Sequence, residues 1–319
     1  MHRPFLIAAL ELAERRQGFC APNPTVGAVL VHQNCIISSG YHKGAGGVHA
    51  EVDCLKGFEV VPEEAILYVT LEPCCHWGKT PPCTDLLIAK KVRHVVYGYR
   101  DPNPKVSGNG EKALSASGIR CEWFETNEIS EFYRSYRYWT ETHRPWVSVK
   151  LALSLDGVAP HSPMTGSESL SFTHRHRLIS DALLTSAKTI ANDDPQMNVR
   201  LGDRTVPKRV YVLDRSKKLS PTAQIFRTAS AVGILSSGIE SALEQLGRDG
   251  MHSVWVEVGP TLFREFVLGN WVHVCYLYFA PTVVVGSRAI DDATWLRLRE
   301  FSSLRTYSAG HDWICEFQR

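Results

Sequence analysis

The sequence predicts a protein built from two α/β domains. Its 319 residues are enough for two domains of ordinary size, and a hydrophobic content of 44% can supply a core to each. In both halves, segments with the 3.6-residue period of amphipathic helices alternate with short apolar segments that are typical of strands. We therefore expect, in each half, a sheet that is covered by helices.

The N-terminal half has the pattern of a three-layer domain, with a sheet between two layers of helices. It opens with an amphipathic helix, continues with two strands around a short polar turn, and then alternates helix and strand. The last helix of this half ends in a glycine, as helices commonly do. The predicted helices cover 5–16, 49–58, 83–92 and 111–118, and the predicted strands cover 25–31, 35–42, 65–71, 94–99 and 119–124.

A charged and aromatic segment over 127–143 predicts a connecting helix between the two domains. Pro145 ends this helix, because the residue before a proline disfavours helical geometry. We therefore expect one domain over 1–145 and a second over 146–319. The second domain has predicted strands over 147–153, 182–185, 208–214, 231–237, 253–259 and 274–280, predicted helices over 240–248 and 261–268, and strand and hairpin patterns in its last forty residues.

The composition of the chain indicates what kind of partner it binds and in which cellular compartment it works. The chain has 35 Lys and Arg against 33 Asp and Glu, so its near-neutral charge favours a small molecule over nucleic acid. Its first residues lack the pattern of a signal peptide, and no run approaches the ~18 apolar residues of a membrane span. We expect a cytoplasmic protein with no membrane partner.

Nine cysteines are present, and three of them, Cys74, Cys75 and Cys83, lie within ten residues beside a histidine. An odd number of cysteines in a cytoplasmic chain suits reduced thiols and metal binding better than a disulfide framework. The sequence therefore predicts a metal site in this region.

The predicted metal is zinc, bound by His49, Cys74 and Cys83. Neutral imidazole and thiolates are good zinc ligands, and three protein ligands leave the fourth tetrahedral position open to water. Zinc lowers the pKa of its water towards ~7, so that hydroxide can attack an amino-bearing ring carbon. Glu51, two residues after His49, is then free to carry protons as general base and acid.

Other kinds of zinc protein remain as alternatives. A closed structural site would recruit Cys75 or His76 as a fourth ligand. Such sites use short paired spacings, whereas eight residues separate Cys74 from Cys83, and a rigid Thr80-Pro81-Pro82 segment lies among them. A polynucleotide base deaminase should carry a basic, aromatic groove and a strongly positive domain. A zinc-binding module without activity is the third alternative, and it would have no need of Glu51.

The loop between the two cysteines narrows the family. It reads PCCHWGKTPPC, and together with APNPTVGAVLV, GYHKGAGGVHAE, VTLEPC and DPNPKVSGNG it resembles the deaminase half of the bifunctional deaminase/reductase family of riboflavin biosynthesis. The resemblance implies a cytidine-deaminase-like three-layer α/β/α domain that deaminates 2,5-diamino-6-ribosylamino-4(3H)-pyrimidinone 5′-phosphate. It also implies that Asn23, His42, Lys79, Asp101 and Asn103 hold this small-molecule phosphoribosyl pyrimidine. The alternative is turn chemistry for the two asparagines beside prolines and a loop cap for Asp101.

From residue 147 onward, VSVKLALSLDG, DALLTSAKTIANDDPQMNVR, KRVYVLDR and VEVGPTLFREF resemble the reductase half of the same family. The resemblance implies a dihydrofolate-reductase-like α/β domain in which NADPH reduces the ribosyl group to ribityl. It places Ser169, Met197, Arg200 and Glu257 at the substrate, and Thr189, Asp193, Gly259, Pro260, Thr261 and Leu262 at the cofactor. It also implies a homo-oligomer, either a dimer or a tetramer.

The second half also departs from the family pattern. The segment 166–181, which contains Leu170, is several residues shorter than usual and lacks a usual tryptophan. Arg215 stands where serine is usual, and its guanidinium could bind the extra phosphate of the cofactor or fill the cofactor site. These departures leave open the alternative of an active deaminase with a degenerate, non-reducing C-terminal domain. In the HRHR cluster over 174–177, we expect a solvated helix face rather than a phosphate site.

Overall fold

Two sheets organise the chain, one in each of two units, Met1–His143 and Arg144–Arg319. The computed structural model describes residues 2–77, 81–104, 106–159 and 164–319. The boundary between the units lies two residues before the predicted one. None of the helices in these ranges is both long and apolar enough to cross a membrane.

The first unit is a five-stranded sheet between two helical layers. Its strand order is β2-β1-β3-β4-β5, with β1 antiparallel to both neighbours and β3, β4 and β5 parallel to one another. The elements are α1 (Arg3–Glu14), β1 (Gly27–His32), β2 (Cys35–Tyr41), α2 (Ala50–Leu55), β3 (Ile66–Val69), α3 (Cys83–Ala89), β4 (His94–Tyr97), α4 (Asn109–Ala116), β5 (Arg120–Trp123), α5 (Asn127–Phe132) and α6 (Arg134–Thr142).

Alternate strand residues point to the two faces of this sheet, and each face has its own core. Leu30, Leu67 and Val95 pack against α2, α3 and α4, whereas Val29 and Tyr68 pack against α1, α5 and α6. The predicted three-layer α/β/α arrangement is therefore confirmed, with every predicted strand and helix of this half present.

Glycines allow two of the helices to lie directly on strands. A Cβ on Gly27 would lie 2.0 Å from the carbonyl oxygen of Ala9 in α1, and a Cβ on Gly40 would lie 2.2 Å from the amide nitrogen of Cys54 in α2. Any side chain at these positions would separate helix from sheet. The close contact at Gly40 matters for function, because α2 carries the predicted proton-transfer residue.

The segment over 127–143 differs from the expected connecting helix. It forms two helices that meet at Tyr133, and Thr126 caps the first by accepting a hydrogen bond from the amide of Ile129. Ile129, Tyr133 and Tyr136 are buried in the core of the first unit. Spacings of four and three residues align these three side chains on one face, so that a mostly charged segment still packs on the sheet.

The second unit is an eight-stranded sheet in the order β11-β10-β7-β12-β6-β13-β15-β14. The first six strands are parallel, and a C-terminal hairpin adds β15 antiparallel to β13. The elements are β6 (Trp146–Ser154), α7 (Ser167–Ile179), β7 (Ala182–Ser186), α8 (Ala187–Asp193), β8 (Val199–Leu201), β9 (Arg204–Val206), β10 (Arg209–Leu213), α9 (Ile225–Thr228), β11 (Ala231–Leu235), α10 (Ile239–Arg248), β12 (Ser253–Glu257), α11 (Pro260–Leu268), β13 (Val274–Ala280), α12 (Asp292–Leu298), β14 (Ser303–Ala309) and β15 (Asp312–Gln318).

All predicted strands of the second half are present, and so are α10 and α11. Three short helices, α8, α9 and α12, were not predicted, because four to seven residues carry too little periodicity to reveal a helix. The β8–β9 hairpin was not predicted either. Because β7, β12 and β6 are neighbouring parallel strands, their carboxyl ends lie side by side at one edge of the sheet.

Candidate active site

A cluster of metal-binding side chains lies at one end of the first sheet. The ligand atoms of His49, Cys74 and Cys83 all lie within 4.8 Å of one another, in the only such group found among the described residues. His49 immediately precedes α2, Cys83 is the first residue of α3, and Cys74 lies in the loop after β3. Local chain geometry thus brings together three residues that span 34 positions of sequence.

The distances in this cluster fit zinc. The Nδ1 atom of His49 lies 3.1 Å from the Sγ of Cys83 and 3.6 Å from the Sγ of Cys74. A tetrahedral zinc ion with ordinary Zn–N and Zn–S bond lengths holds such atoms about 3.5 Å apart. One soft nitrogen and two sulfur donors are also the donor set that zinc prefers.

The surroundings of the cluster stabilise one thiolate, that of Cys74, because the shared hydrogen bond lowers the pKa of Cys74 and raises that of Cys83. A hydrogen bond from Cys83, which outweighs the opposing effect of burial, lowers the pKa of Cys74 to about 4. The amide of Cys83 donates to the Sγ of Cys74 at 3.3 Å, and this amide belongs to the first turn of α3. The cluster lies at the N-terminal ends of both α2 and α3, where the partial positive charge of a helix favours thiolate.

Cys75 and His76 lie outside the cluster of three ligands. Cys75 is half-buried, burial raises the pKa of its thiol, and His76 is exposed. Within the described ranges no fourth protein ligand joins the group. The arrangement is that of a three-ligand site rather than of a closed structural one.

Glu51 is buried beside the cluster, with only 4% of its surface exposed. Burial raises its pKa to about 6, a value that lets a carboxyl group both accept and release a proton near neutral pH. Because Glu51 lies one residue beyond the start of α2, its position is set by the same helix that places His49.

Asn23 and His42 form a pair next to His49. The Nδ2 atom of Asn23 lies 3.3 Å from the Nε2 of His42, and the Nδ1 of His42 lies 3.0 Å from the carbonyl oxygen of Val48. Donation from Nδ1 to that carbonyl leaves Nε2 as the acceptor for Asn23. Burial lowers the pKa of His42, and the charges of His49 and Arg16 lower it further, so the ring is neutral. Its plane stands edge-on to His49, with the ring centroids 5.6 Å apart.

Asp101 and Asn103 lie on the loop after β4. The Oδ1 atom of Asp101 accepts a hydrogen bond from the amide of Asn103 at 2.9 Å and another from the hydroxyl of Tyr136 at 3.2 Å. Burial raises the pKa of Asp101 to about 6. If Asp101 only capped the loop, its hydrogen bond with the Asn103 amide would be explained. The hydrogen bond from the buried Tyr136 to the same carboxylate would not be explained. Lys79, the remaining predicted substrate contact, lies outside the described residues.

Two residues that support this loop were missed from the sequence. One is Tyr136, which the aromatic segment after β5 concealed. The other is Glu72, whose buried carboxylate accepts hydrogen bonds from the amides of Gly108 at 3.0 Å, Gly110 at 3.1 Å and Glu111 at 3.3 Å. Glu72 therefore caps α4 and ties the loop that carries Asp101 to the strand end that carries Cys74. In the sequence, only the acidic residue of the LEPC segment could have indicated this role of Glu72.

In the second unit, a buried ion pair joins α7 to the end of β12. The Nε and Nη2 atoms of Arg177 lie 2.6 and 2.9 Å from the two carboxylate oxygens of Glu257. Trp255 also donates to this carboxylate, at 2.8 Å. Although burial alone would raise it, the Arg177 charge brings the pKa of Glu257 down to about 2. Glu257 is therefore a fixed negative charge.

Lys150 lies opposite this pair and was not singled out from the sequence. It is the register partner of Glu257 across β6 and β12, and its Nζ lies 5.1 Å from the ring centre of Tyr278. Burial lowers the pKa of Lys150 against the opposing effect of Glu257. The sequence could have indicated Lys150, because a lysine within a largely apolar strand is unusual.

The predicted reductase residues lie around this pair and at the ends of the parallel strands. Ser169 is fully buried on α7, and its hydroxyl has no hydrogen-bond partner among the described residues. The sulfur of Met197, a residue with a left-handed φ of 45°, lies 3.9 Å from Arg177. Arg200 is exposed and donates to the side chains of Gln196 and Asn198 at 2.7 and 2.9 Å.

The predicted cofactor residues follow two neighbouring strands. Thr189 and Asp193 lie on α8, directly after β7, and Thr189 takes part in the cap of that helix through Ser186. Gly259 to Leu262 form the start of α11, directly after β12. Open parallel sheets bind ligands at the carboxyl ends of their strands, where helix N-termini can meet phosphate.

The prediction of a solvated face for the HRHR cluster is wrong for three of its four residues. His174 and Arg177 are buried, since one accepts from the amide of Arg200 and the other pairs with Glu257. His176 stacks on Trp255 with centroids 4.9 Å apart, and only Arg175 is fully solvated. Burial of α7 against the sheet turns most of this charged pattern inward.

The residues that depart from the family pattern lie at the surface. Leu170 is 44% exposed on α7. Arg215 is exposed after β10, and its guanidinium lies 3.8 Å from Glu265 of α11. This contact places Arg215 beside α11, the helix whose first residues are predicted to bind the cofactor.

Comparisons with known proteins agree with both halves. Residues 145–313 match the family of the RibD C-terminal domain, and residues 1–99 match the zinc-binding region of cytidine and deoxycytidylate deaminases. The chain is 30% identical to the riboflavin biosynthesis protein RibD of Aquifex aeolicus, with 99% of this chain and 98% of that protein covered. It is 32% identical to RibD of Escherichia coli, with 88% of each covered.

Solved structures are similar over the full chain. RibD of Acinetobacter baumannii superposes with a TM-score of 0.87 at 28% identity, covering 99% of this chain and 98% of that one. A Thermotoga maritima protein superposes with a TM-score of 0.85 at 30% identity and the same coverage. That protein is described as a diaminohydroxyphosphoribosylaminopyrimidine deaminase and 5-amino-6-(5-phosphoribosylamino)uracil reductase.

Proposed function

We propose a function from the family of this chain, which belongs to the RibD family of riboflavin biosynthesis proteins. The chain first deaminates 2,5-diamino-6-ribosylamino-4(3H)-pyrimidinone 5′-phosphate. It then reduces the ribosyl group to ribityl with NADPH. We assign the first reaction to residues 1–145 and the second to residues 146–319. The observation that carries the proposal is the three-ligand cluster with the buried carboxyl group of Glu51 beside it.

In the deaminase site, the residues of this chain bind the substrate and move protons. Zinc, when bound by His49, Cys74 and Cys83, supplies the Lewis acidity that makes water acidic near neutral pH. Glu51 is placed to take a proton from the attacking water and to pass protons to the ring nitrogen and to the departing ammonia. Asn23 and neutral His42 offer an amide and a ring nitrogen to the pyrimidine edge.

The loop after β4 completes this site in our proposal. Asp101 has one carboxylate oxygen engaged by Tyr136 and the amide of Asn103, which leaves the other oxygen for donors on the substrate. Lys79 is proposed to pair with the 5′-phosphate, because a lysine ammonium is a compact point charge suited to phosphate.

In the reductase site, NADPH supplies the hydride, and the protein positions it against the sugar. The start of α11 and the α8 residues Thr189 and Asp193 are proposed to hold the cofactor. Ser169, Met197, Arg200 and Glu257 are proposed to face the phosphorylated sugar, with Lys150 as a further donor from the middle of the sheet. The unpartnered hydroxyl of Ser169 supports this assignment, since buried hydroxyls ordinarily have partners.

Separate assays of the two reactions test the proposal. We expect about one zinc per chain, ammonia release from the diamino substrate, and NADPH oxidation when the deaminated intermediate is supplied instead. Ammonia release without NADPH oxidation would favour the degenerate C-terminal domain, an alternative that no comparison supports. Zinc retention with neither reaction would indicate a binding module.

Two further predictions remain proposals. A homo-oligomer, either dimer or tetramer, is expected and can be measured by light scattering. A cytoplasmic setting is expected because all nine cysteines are free thiols in the structure, and free thiols persist in reducing compartments.

A further inference from the structure

An arginine near the deaminase site has no hydrogen-bond acceptor or ion-pair partner among the described residues. Arg16 lies just beyond the end of α1, is half-buried, and stacks on the ring of Phe19 with its guanidinium carbon 5.2 Å from the ring centre. Its Nε atom is buried without a hydrogen-bond partner, and no carboxylate among the described residues pairs with it. A buried donor without an acceptor costs free energy, so the acceptor is expected to come from a ligand.

The position of Arg16 relates it to the deaminase site rather than to open surface. A Cβ built on Gly44 would lie 4.0 Å from its Nη2 and 3.7 Å from the carbonyl oxygen of Phe19. The segment 16–19 therefore contacts the chain at Gly44, within the loop that joins the end of β2 to His49. Gly44 has a positive φ of 151°, so the backbone at this contact carries no side chain.

The neighbouring lysines are already engaged in ion pairs and are not available to bind an anion. Lys43 and Lys56 both pair with Asp53, at 3.3 and 3.1 Å. Arg16, in contrast, forms no ion pair within the part of the chain that the structure describes, and it is partly buried, whereas the equally unpaired Arg15 is exposed. Gly44 is two residues from His42, whose ring stands edge-on to that of His49 with the centroids 5.6 Å apart.

We propose that Arg16 binds the 5′-phosphate of the deaminase substrate. This inference rests on the proposed function and adds a specificity-determining residue to it. A phosphate monoester carries up to two negative charges, and the planar guanidinium offers it two parallel donors. The stacking on Phe19 holds the guanidinium in place before the ligand arrives, which reduces the entropy lost on binding.

The test compares Arg16→Gln with Arg15→Gln, a matched variant at the neighbouring exposed arginine. Ammonia release is measured with the phosphorylated substrate and with its dephosphorylated nucleoside form. For Arg16→Gln we expect KM for the phosphorylated substrate to rise roughly ten- to a hundredfold with kcat nearly unchanged, because a charge-assisted contact to substrate is lost. We expect KM for the nucleoside to stay the same, and Arg15→Gln to behave as wild type with both.

Arg16→Lys provides a second test of the same idea, because it keeps the charge but not the fork of donors. We expect an intermediate KM for the phosphorylated substrate. An unchanged KM in Arg16→Gln, or an equal rise with both substrates, would overturn the proposal, since the second result indicates a structural role. Zinc content is measured in each variant to confirm that the metal cluster is intact.

A binding measurement separates this inference from the proposed function. Calorimetry with ribose 5-phosphate and with ribose requires no turnover. We expect Arg16→Gln to lose one ribose 5-phosphate site relative to wild type and Arg15→Gln, while any site in the second unit remains in all three. Equal stoichiometry in all three proteins would refute the role of Arg16, whereas absence of ammonia release by the wild type would refute the deaminase assignment alone.

Discussion

At the scale of single residues, the deaminase site depends on side chains whose roles can be separated. We propose that Glu51 moves protons, that His49, Cys74 and Cys83 hold the metal, and that Asn23, His42 and Asp101 face the substrate. Their burial gives each group an unusual pKa or a fixed partner. Substitutions should therefore affect metal content, turnover and stability independently.

Replacing Glu51 by Gln should remove proton transfer and leave the metal in place. The amide fits the same space but cannot act as base or acid, so we expect ammonia release to fall by about a hundred- to ten-thousandfold. Zinc content, measured by plasma emission on the same sample, should match that of the wild type. Near-normal turnover would exclude Glu51 from the mechanism.

Replacing Cys83 by Ser should instead reduce the metal content. A hydroxyl is a poor zinc ligand, and the cluster would retain only two strong donors. Cys75→Ser is the matched control, because Cys75 lies next to Cys74 but outside the cluster. Full zinc occupancy in the Cys83→Ser protein would show that another residue completes the site.

Glu257 should make the stability of the second unit depend on acid pH. Its folded pKa of about 2 lies below its ordinary value of 4.5, because Arg177 stabilises the charged form. The stability that this ionisation contributes, on the order of 3 kcal/mol, is present above about pH 4.5 and is lost as the pH falls towards 2.

The measurement for Glu257 is the free energy of unfolding in urea across this pH range. We expect the difference between wild type and Glu257→Gln to shrink as the pH falls. Glu300→Gln, at an exposed ion pair with Arg297, should show little such change. A difference that stays constant with pH would mean that the Arg177–Glu257 pair does not set this pKa.

At the scale of elements, the site depends on helices that lie very close to the sheet. The α2 helix presents His49 and Glu51 only because Gly40 lets it rest on β2. Likewise, α5 and α6 place Tyr136 against Asp101, so the charged segment after β5 is part of the deaminase unit rather than a linker.

Gly40→Ala should push α2 away from β2. The added methyl group would meet backbone atoms that cannot move independently, and such overpacking costs about 1–3 kcal/mol. We expect lower stability in urea and weaker ammonia release. Gly57→Ala is the control, because nothing lies within 4 Å of a Cβ there. Equal stability of the two variants would show that the contact at Gly40 is not limiting.

At the scale of the whole molecule, two units with separate cores carry two different chemistries. The metal ligands all lie in the first unit, and the Arg177–Glu257 pair and Lys150 all lie in the second. Loss of the metal should therefore affect one reaction and spare the other.

Removal of zinc by a chelator should abolish ammonia release and preserve NADPH oxidation with the deaminated intermediate. The second unit has its own sheet and core, so its fold does not require the metal. Ammonia assays and the near-ultraviolet absorbance of NADPH measure the two reactions on one sample, and added zinc should restore the first. Parallel loss of both reactions would mean that the metal stabilises the whole chain.

The order of strands and helices was largely predictable, because periodicity in sequence reflects which face of an element is buried. The α5–α6 segment was misread since its three buried residues are outnumbered by charged neighbours. Likewise, the HRHR cluster was misread because polarity alone does not reveal whether a helix face meets solvent or a partner such as Glu257, 80 residues away.

The sequence by itself determined the family and predicted which three residues cluster beside Glu51, because zinc chemistry requires particular residue types at short, fixed spacings. Only the tertiary structure decided which charges are buried and what they contact. Lys150 meets Glu257, Tyr136 reaches Asp101, and Arg16 lies beside the loop of His42 through packing of segments that are distant in sequence. Charge and pKa depend on those neighbours, and no local pattern records them.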